Sequence, residues 1–100
     1  MNIVHHPEKS RFETVVDGVT AYVAYSADET CLDIRHTIVP EAIGGRGIAS
    51  ALVRAAYDYA RAEGLKPVAT CSYAVTWLQR HPEYGGAPSA DYGGSDSCAL

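Results

Sequence analysis

Three glycines in four positions, Gly44-Gly45-Arg46-Gly47, separate a run that reads as a strand from a run that reads as a helix. Glycine enters left-handed backbone at low cost, so such a segment can bend sharply and leave its amides uncovered. The run before it, Cys31 to Val39, alternates: Leu32, Ile34, His36 and Ile38 fall on one face of a strand, and Asp33, Arg35 and Thr37 suit the other. Pro40 ends that strand because it has no N–H to give a ladder. The run after it, Ile48 to Glu63, places Ile48, Leu52, Ala55, Ala56 and Tyr59 at helical spacing and so carries one apolar stripe. Gly64 suits the position just past the end of that helix.

A strand, a bare turn and a helix must pack on a sheet, and the rest of the chain supplies one. Residues 12–16 and 19–25 are rich in β-branched and aromatic types and flank Asp17-Gly18, the pair favoured where a two-residue hairpin needs positive φ twice. A turn at Ala27-Asp28-Glu29 leads into the Cys31 strand, giving a three-stranded antiparallel meander. After the helix, Val68-Ala69-Thr70 reads as a short strand. Ser72 can cap a second helix from Tyr73 to Arg80, which Pro82 stops. The expected order is β-β-β-α-β-α. A helix crossing from the third strand to the fourth requires a parallel pair there, joined right-handedly. The fold class is therefore α+β, with a mixed, mostly antiparallel sheet. At 100 residues, one domain is expected over 1–84. Residues 85–100, with four Gly and three Ser, are expected to be a flexible tail.

Charge narrows the partners. The net charge of −4 argues against nucleic acid as a general partner. Its distribution matters more: residues 44–84 hold five basic and three acidic side chains, the only segment suited to an anion. No apolar run approaches the ~20 residues of a membrane span, and the N-terminus lacks a signal-like stretch, so no membrane association and a cytoplasmic location are expected. Cys31, Cys71 and Cys98 are widely spaced without a C-x-x-C pair. Free thiols are expected rather than a disulfide framework, and no metal site. His5 and His6 adjoin a terminus expected to be mobile.

The glycine loop is where the chemistry concentrates. Several bare N–H groups and the positive end of a helix can converge on one anion, phosphate or diphosphate. Arg46 adds a cation, unless its side chain faces solvent. The G-x-G-x-x-G spacing of dinucleotide sites is missing, and so is the Gly-Lys-Ser/Thr of a Walker loop. A glycine-rich connection that binds nothing is the competing reading.

The run Val39-Pro40, then Gly44-Gly45-Arg46-Gly47-Ile48-Ala49-Ser50-Ala51-Leu52-Val53, resembles the acetyl-CoA-binding signature of the GNAT N-acetyltransferases, Arg/Gln-x-x-Gly-x-Gly/Ala. Gly47 and Ala49 match its last two fixed positions; Gly44 stands where Arg or Gln is usual. The resemblance is closer to the small stand-alone GNAT-like proteins through His36-Thr37-Ile38-Val39-Pro40, Gly64-Leu65-Lys66, Cys71-Ser72-Tyr73 and His81-Pro82-Glu83-Tyr84, with Ile38 in place of their Glu. It covers about residues 10–84. It implies a minimal GNAT-like fold with acetyl-CoA as co-substrate and a small-molecule or peptide amine as acceptor. The chain is then expected to be a monomer or weak homodimer. Gly44, Gly45, Arg46, Gly47, Ile48, Ala49 and Ser50 would hold the diphosphate, and Ile38 and Val39 would flank the pantetheine arm. A free N–H near Ile38 or Val39 would polarise the thioester carbonyl.

Two side chains are catalytic candidates. Cys71 precedes a helix start, where a thiolate is favoured. In the resembling proteins it lies near the reactive end of CoA, as relay, base or channel wall; the plain alternative is a buried small hydrophobe. His36 shares an apolar face and is either a satisfied core residue or a base for the amine. Tyr57, Tyr59, Tyr73 and Trp77 read as packing residues, His81 as a cation at a helix end, and Glu41 as a solvated carboxylate. The departures at Gly44 and Ile38 leave a second reading, a non-catalytic CoA-binding module. A domain with no ligand is the third.

Overall fold

The computed structural model describes residues 2–89 and is an α+β sandwich of one sheet and two helices. Six strands lie in sequence order across the sheet: β1 Val4–His6, β2 Arg11–Val16, β3 Val19–Ala27, β4 Cys31–Ile38, β5 Lys66–Ala69 and β6 Ala87–Pro88. The pairs from β1 to β4 are antiparallel, and β4–β5 and β5–β6 are parallel. Helix α1 (Ile48–Ala62) makes the expected crossover from β4 to β5, and α2 (Ser72–Arg80) the one from β5 to β6. The meander, the crossover and both helices stand where the sequence placed them.

The two outer strands were not anticipated. β1 contains His5 and His6, read from sequence as part of a mobile terminus. Tertiary contacts hold it instead: His5 stacks on Phe12 with ring centroids 4.0 Å apart, and its Nε2 lies 2.6 Å from Tyr25 Oη. β6 carries the sheet past the boundary at residue 84 and into the expected tail, through Val68↔Ala87 and Ala69↔Pro88. The rest of that tail, from residue 90, lies outside the described residues.

Local chemistry explains the connections. Asp17 and Gly18 have φ of 53° and 76°, the two positive values a type I′ turn demands. Helix α1 ends in a Schellman motif: Leu65 N–H donates to Ala60 O at 2.8 Å, Gly64 N–H donates to Arg61 O, and Gly64 takes φ 74°.

The core lies between the sheet and both helices. Phe12, Ala21, Val23, Tyr25, Leu32 and Ile34 face Ile48, Leu52, Val53, Ala56, Tyr57, Ala60, Val75, Trp77 and Leu78. The α1 stripe is rotated from the expected one. Tyr57, not Tyr59, is fully buried, because its hydroxyl donates to the Val68 carbonyl at 2.6 Å and is thereby satisfied inside the core. No helix among the described residues is long and apolar enough to cross a membrane.

Candidate functional site

The site begins with a fault in β4. Tyr25 pairs with Ile34 and Ala24 with His36, so Arg35 has no opposite number on β3 and forms a β-bulge. One extra residue inverts the alternation beyond it. Thr37 is buried on the helix side with Leu32 and Ile34, and His36 is turned out and exposed. This corrects the expectation that His36 shares the apolar face of Leu32, Ile34 and Ile38.

β4 and β5 then part. Their pairing runs from Cys31↔Lys66 to Ile34↔Ala69, and the Ile34 carbonyl accepts from both Thr70 N–H and Cys71 N–H. Beyond that point β5 ends and Cys71 leads into α2. β4 meanwhile continues along β3 to the Tyr22↔Ile38 rung. The divergence opens a wedge between the end of β4 and the first turn of α2. A cavity of about 90 Å³ lies there, lined by Thr37, Val39, Ala49 and Tyr73. The strand end, the first turn of α1 and the first turn of α2 thus enclose one small apolar space.

The glycine loop borders this space. Pro40 leads into a 3-10 turn at Glu41–Ile43, which drives Ile43 into the core and leaves Gly44 to Gly47 exposed. Gly45 and Gly47 have φ of 76° and 75°, where an L side chain is strained, and Gly47 caps α1. No side chain caps this helix start. The first helical bond runs from Ala51 N–H to Gly47 O, so the amides of Ile48, Ala49 and Ser50 precede it and have no acceptor in their own helix. They are donors set for an anion. Arg46 is half exposed at the surface, and its Nη1 donates to Asp17 Oδ2 at 2.7 Å, reaching back to the β2–β3 turn. A depression of about 370 Å³ lies beside that contact, lined by Val15, Val16, Arg46 and Ile48.

α2 forms the far wall. Cys71 is its N-cap residue, with Ser72 already helical, so the expected Ser72 cap is not made. Cys71 is fully buried, with Sγ 3.4 Å from Thr37 Oγ1, directly behind the cavity wall. Cys71 is disulfide-bonded, which corrects the expectation of a free thiol there; Cys31 is a free cysteine. Trp77, one turn after Tyr73, donates from Nε1 to Ser50 Oγ at 2.9 Å and ties α2 to the first turn of α1.

The structure therefore brings together Val39, Ala49, the loop Gly44–Gly47 and the α1 start at Ile48 and Ser50. Ile38 stands on the last β3–β4 rung, between the lining residues Thr37 and Val39. Cys71 lies behind the wall and His36 on the opposite face. Thr37 and Tyr73 were missed as site residues. Thr37 needed knowledge of the bulge. Tyr73, 39% exposed although read as packing, sits on the cavity because it occupies the first turn of α2.

Known proteins resemble this chain in sequence and in fold. Residues 11–87 match the family profile of the GCN5-related N-acetyl-transferases. The chain is 43% identical to Protein NATD1 of Homo sapiens over 85 residues, covering 82% of this chain and 75% of the relative. Identity to Protein NATD1 of Mus musculus is 32% over 85 residues, covering 82% and 77%. The solution structure of a GCN5-like protein from Staphylococcus aureus superposes with a TM-score of 0.66 at 26% identity, covering 88% of this chain and 87% of that one. By profile, relatives and fold together, the chain belongs to the GCN5-related N-acetyltransferase family.

Proposed function

We propose that the protein transfers an acetyl group from acetyl-CoA to the amine of a small molecule or peptide. The observation that carries this reading is the junction of an uncapped helix start at Gly47–Ser50 with the apolar wedge of Thr37, Val39, Ala49 and Tyr73. A diphosphate on the loop amides would direct the attached acyl-thioester arm into that wedge. The loop has room for such a group: a Cβ built on Gly45 or Gly47 meets nothing within 4 Å, so no protein atom crowds these two positions.

The reaction requires a neutral amine nitrogen to bond to the thioester carbonyl carbon. The carbon–sulfur bond breaks, the ammonium proton passes to a base or to water, and it is returned to the departing sulfur so that CoA leaves as its thiol. The Val39 amide follows the last β3–β4 rung and would serve as the backbone donor to the carbonyl oxygen. One such donor is typically worth about 3 kcal/mol in the transition state. His36, turned to the outer face, would take the amine's proton through water rather than directly. Cys71 lies behind Thr37, outside the lining, and direct attack needs no thiol.

The test is release of CoA thiol over time with a panel of polyamines, amino acids and lysine peptides. Amine-dependent release supports the reading. The second reading, a CoA-binding module without turnover, is favoured by Ile38 in place of a carboxylate and by the engagement of Arg46 with Asp17. It predicts acetyl-CoA affinity with no release across the panel.

A further inference from the structure

We infer that Trp77 is a positioning residue for the acyl donor, acting through Ser50; this rests on the diphosphate reading of the α1 start. The polarity of their 2.9 Å contact is fixed by chemistry. Indole nitrogen only donates, so the Ser50 hydroxyl accepts. Its own hydrogen then remains to be donated, and no acceptor among the described residues takes it. Ser50 is the third residue of α1, and side chains on a helix lean toward its N-terminus. It thus offers the diphosphate two donors, a backbone N–H and an oriented O–H.

Trp77 is held tightly enough to orient that hydroxyl. It is 4% exposed, with His81 stacked at 3.9 Å and 16°, Tyr84 edge-on at 5.0 Å and the Arg54 guanidinium 5.5 Å from the ring. His81 Nδ1–H donates to the Trp77 carbonyl at 2.8 Å, which secures the last turn of α2. The pair also fixes the wedge. Ala49 and Tyr73 face each other across the cavity. Ser50 and Trp77, next along α1 and one turn on along α2, join the same walls by a direct bond. Losing that bond leaves the distance between the first turns of the two helices unset.

The experiment is calorimetric titration of acetyl-CoA into the full chain and into Trp77→Phe, Ser50→Ala, the double variant and Val75→Ala. Steady-state kcat and KM are measured wherever an acceptor is found. Trp77→Phe keeps a ring in the core but loses the donor. It is expected to weaken acetyl-CoA binding about tenfold, through Kd or KM with kcat nearly unchanged. Ser50→Ala should do the same, and the double variant should be no weaker than the worse single one. Val75→Ala, a buried truncation on α2 that leaves the Trp77–Ser50 bond intact, should lower the melting temperature and leave Kd unchanged. Tight binding by Trp77→Phe, additive losses in the double variant, or an equal loss in Val75→Ala would overturn the inference while leaving the proposed function intact. No binding by the parent protein would remove both.

Discussion

The Arg46 guanidinium donates to the Asp17 carboxylate at 2.7 Å, closing the glycine loop onto a turn 29 residues earlier in the chain. Both side chains are more than half or about half exposed, so the pair contributes little to stability. Its consequence is electrostatic: the loop's one cation is already neutralised. Asp17→Asn keeps a residue that tolerates its φ of 53° and releases Arg46. Acetyl-CoA affinity should rise several-fold at low salt and converge with the parent at high salt, with the melting temperature nearly unchanged. Titration at two ionic strengths checks this, and Arg46→Ala should show no such gain.

Tyr57 joins α1 to β5 through its hydroxyl and the Val68 carbonyl, 2.6 Å apart in the core. Burial pushes this phenol well above the ordinary tyrosine range, with the Asp33 carboxylate adding to the effect, so it remains a donor. Tyr57→Phe keeps the ring and orphans the carbonyl. Urea unfolding should show a loss of about 1–3 kcal/mol.

Asp28 accepts from Thr30 N–H, Cys31 N–H and Thr30 Oγ1–H in the turn before β4. The Thr30 and Cys31 amides hold its carboxyl at about 2, below its ordinary 3.8. A carboxylate so depressed stabilises the fold above its unfolded value and loses that contribution as pH falls from about 3.8 to about 2. Melting curves of Asp28→Ala against the parent should differ at neutral pH and converge near the bottom of that window.

How much of this was legible in the sequence depends on what decides each element. The hairpin and the end of α1 are set by local chemistry at Asp17-Gly18 and Gly64, and both were readable. The glycine loop was readable for the same reason. Arg35 carries no mark of a bulge. The bulge arises from how β4 meets β3, and it alone moves His36 outward and Thr37 inward. β1 and β6 are short strands stabilised by neighbours: His5 by Phe12 and Tyr25, Ala87 by Val68. Their propensities gave no signal. Tyr57 packs against Trp77 and donates to Val68 inside the core, while Tyr59 packs beside His5 and Phe12 at its edge, a tertiary difference.

Cys71 lies behind Thr37 rather than in the cavity lining. Direct attack by the amine therefore predicts that Cys71→Ala keeps turnover within about tenfold, well inside the loss that removing a catalytic group brings. Initial rates of thiol release with an accepted amine check this. A loss of about a thousandfold, with acetyl-CoA still bound, would make the sulfur part of the chemistry.

The most direct test follows backbone amide resonances while acetyl-CoA is titrated into the protein. The account predicts that the largest shifts fall on Gly45 to Ser50, with Val39 and Tyr73 following as the arm fills the wedge, and that Gly47→Asp abolishes them while keeping the fold. Shifts confined to other surfaces, or none at saturating acetyl-CoA, would contradict it.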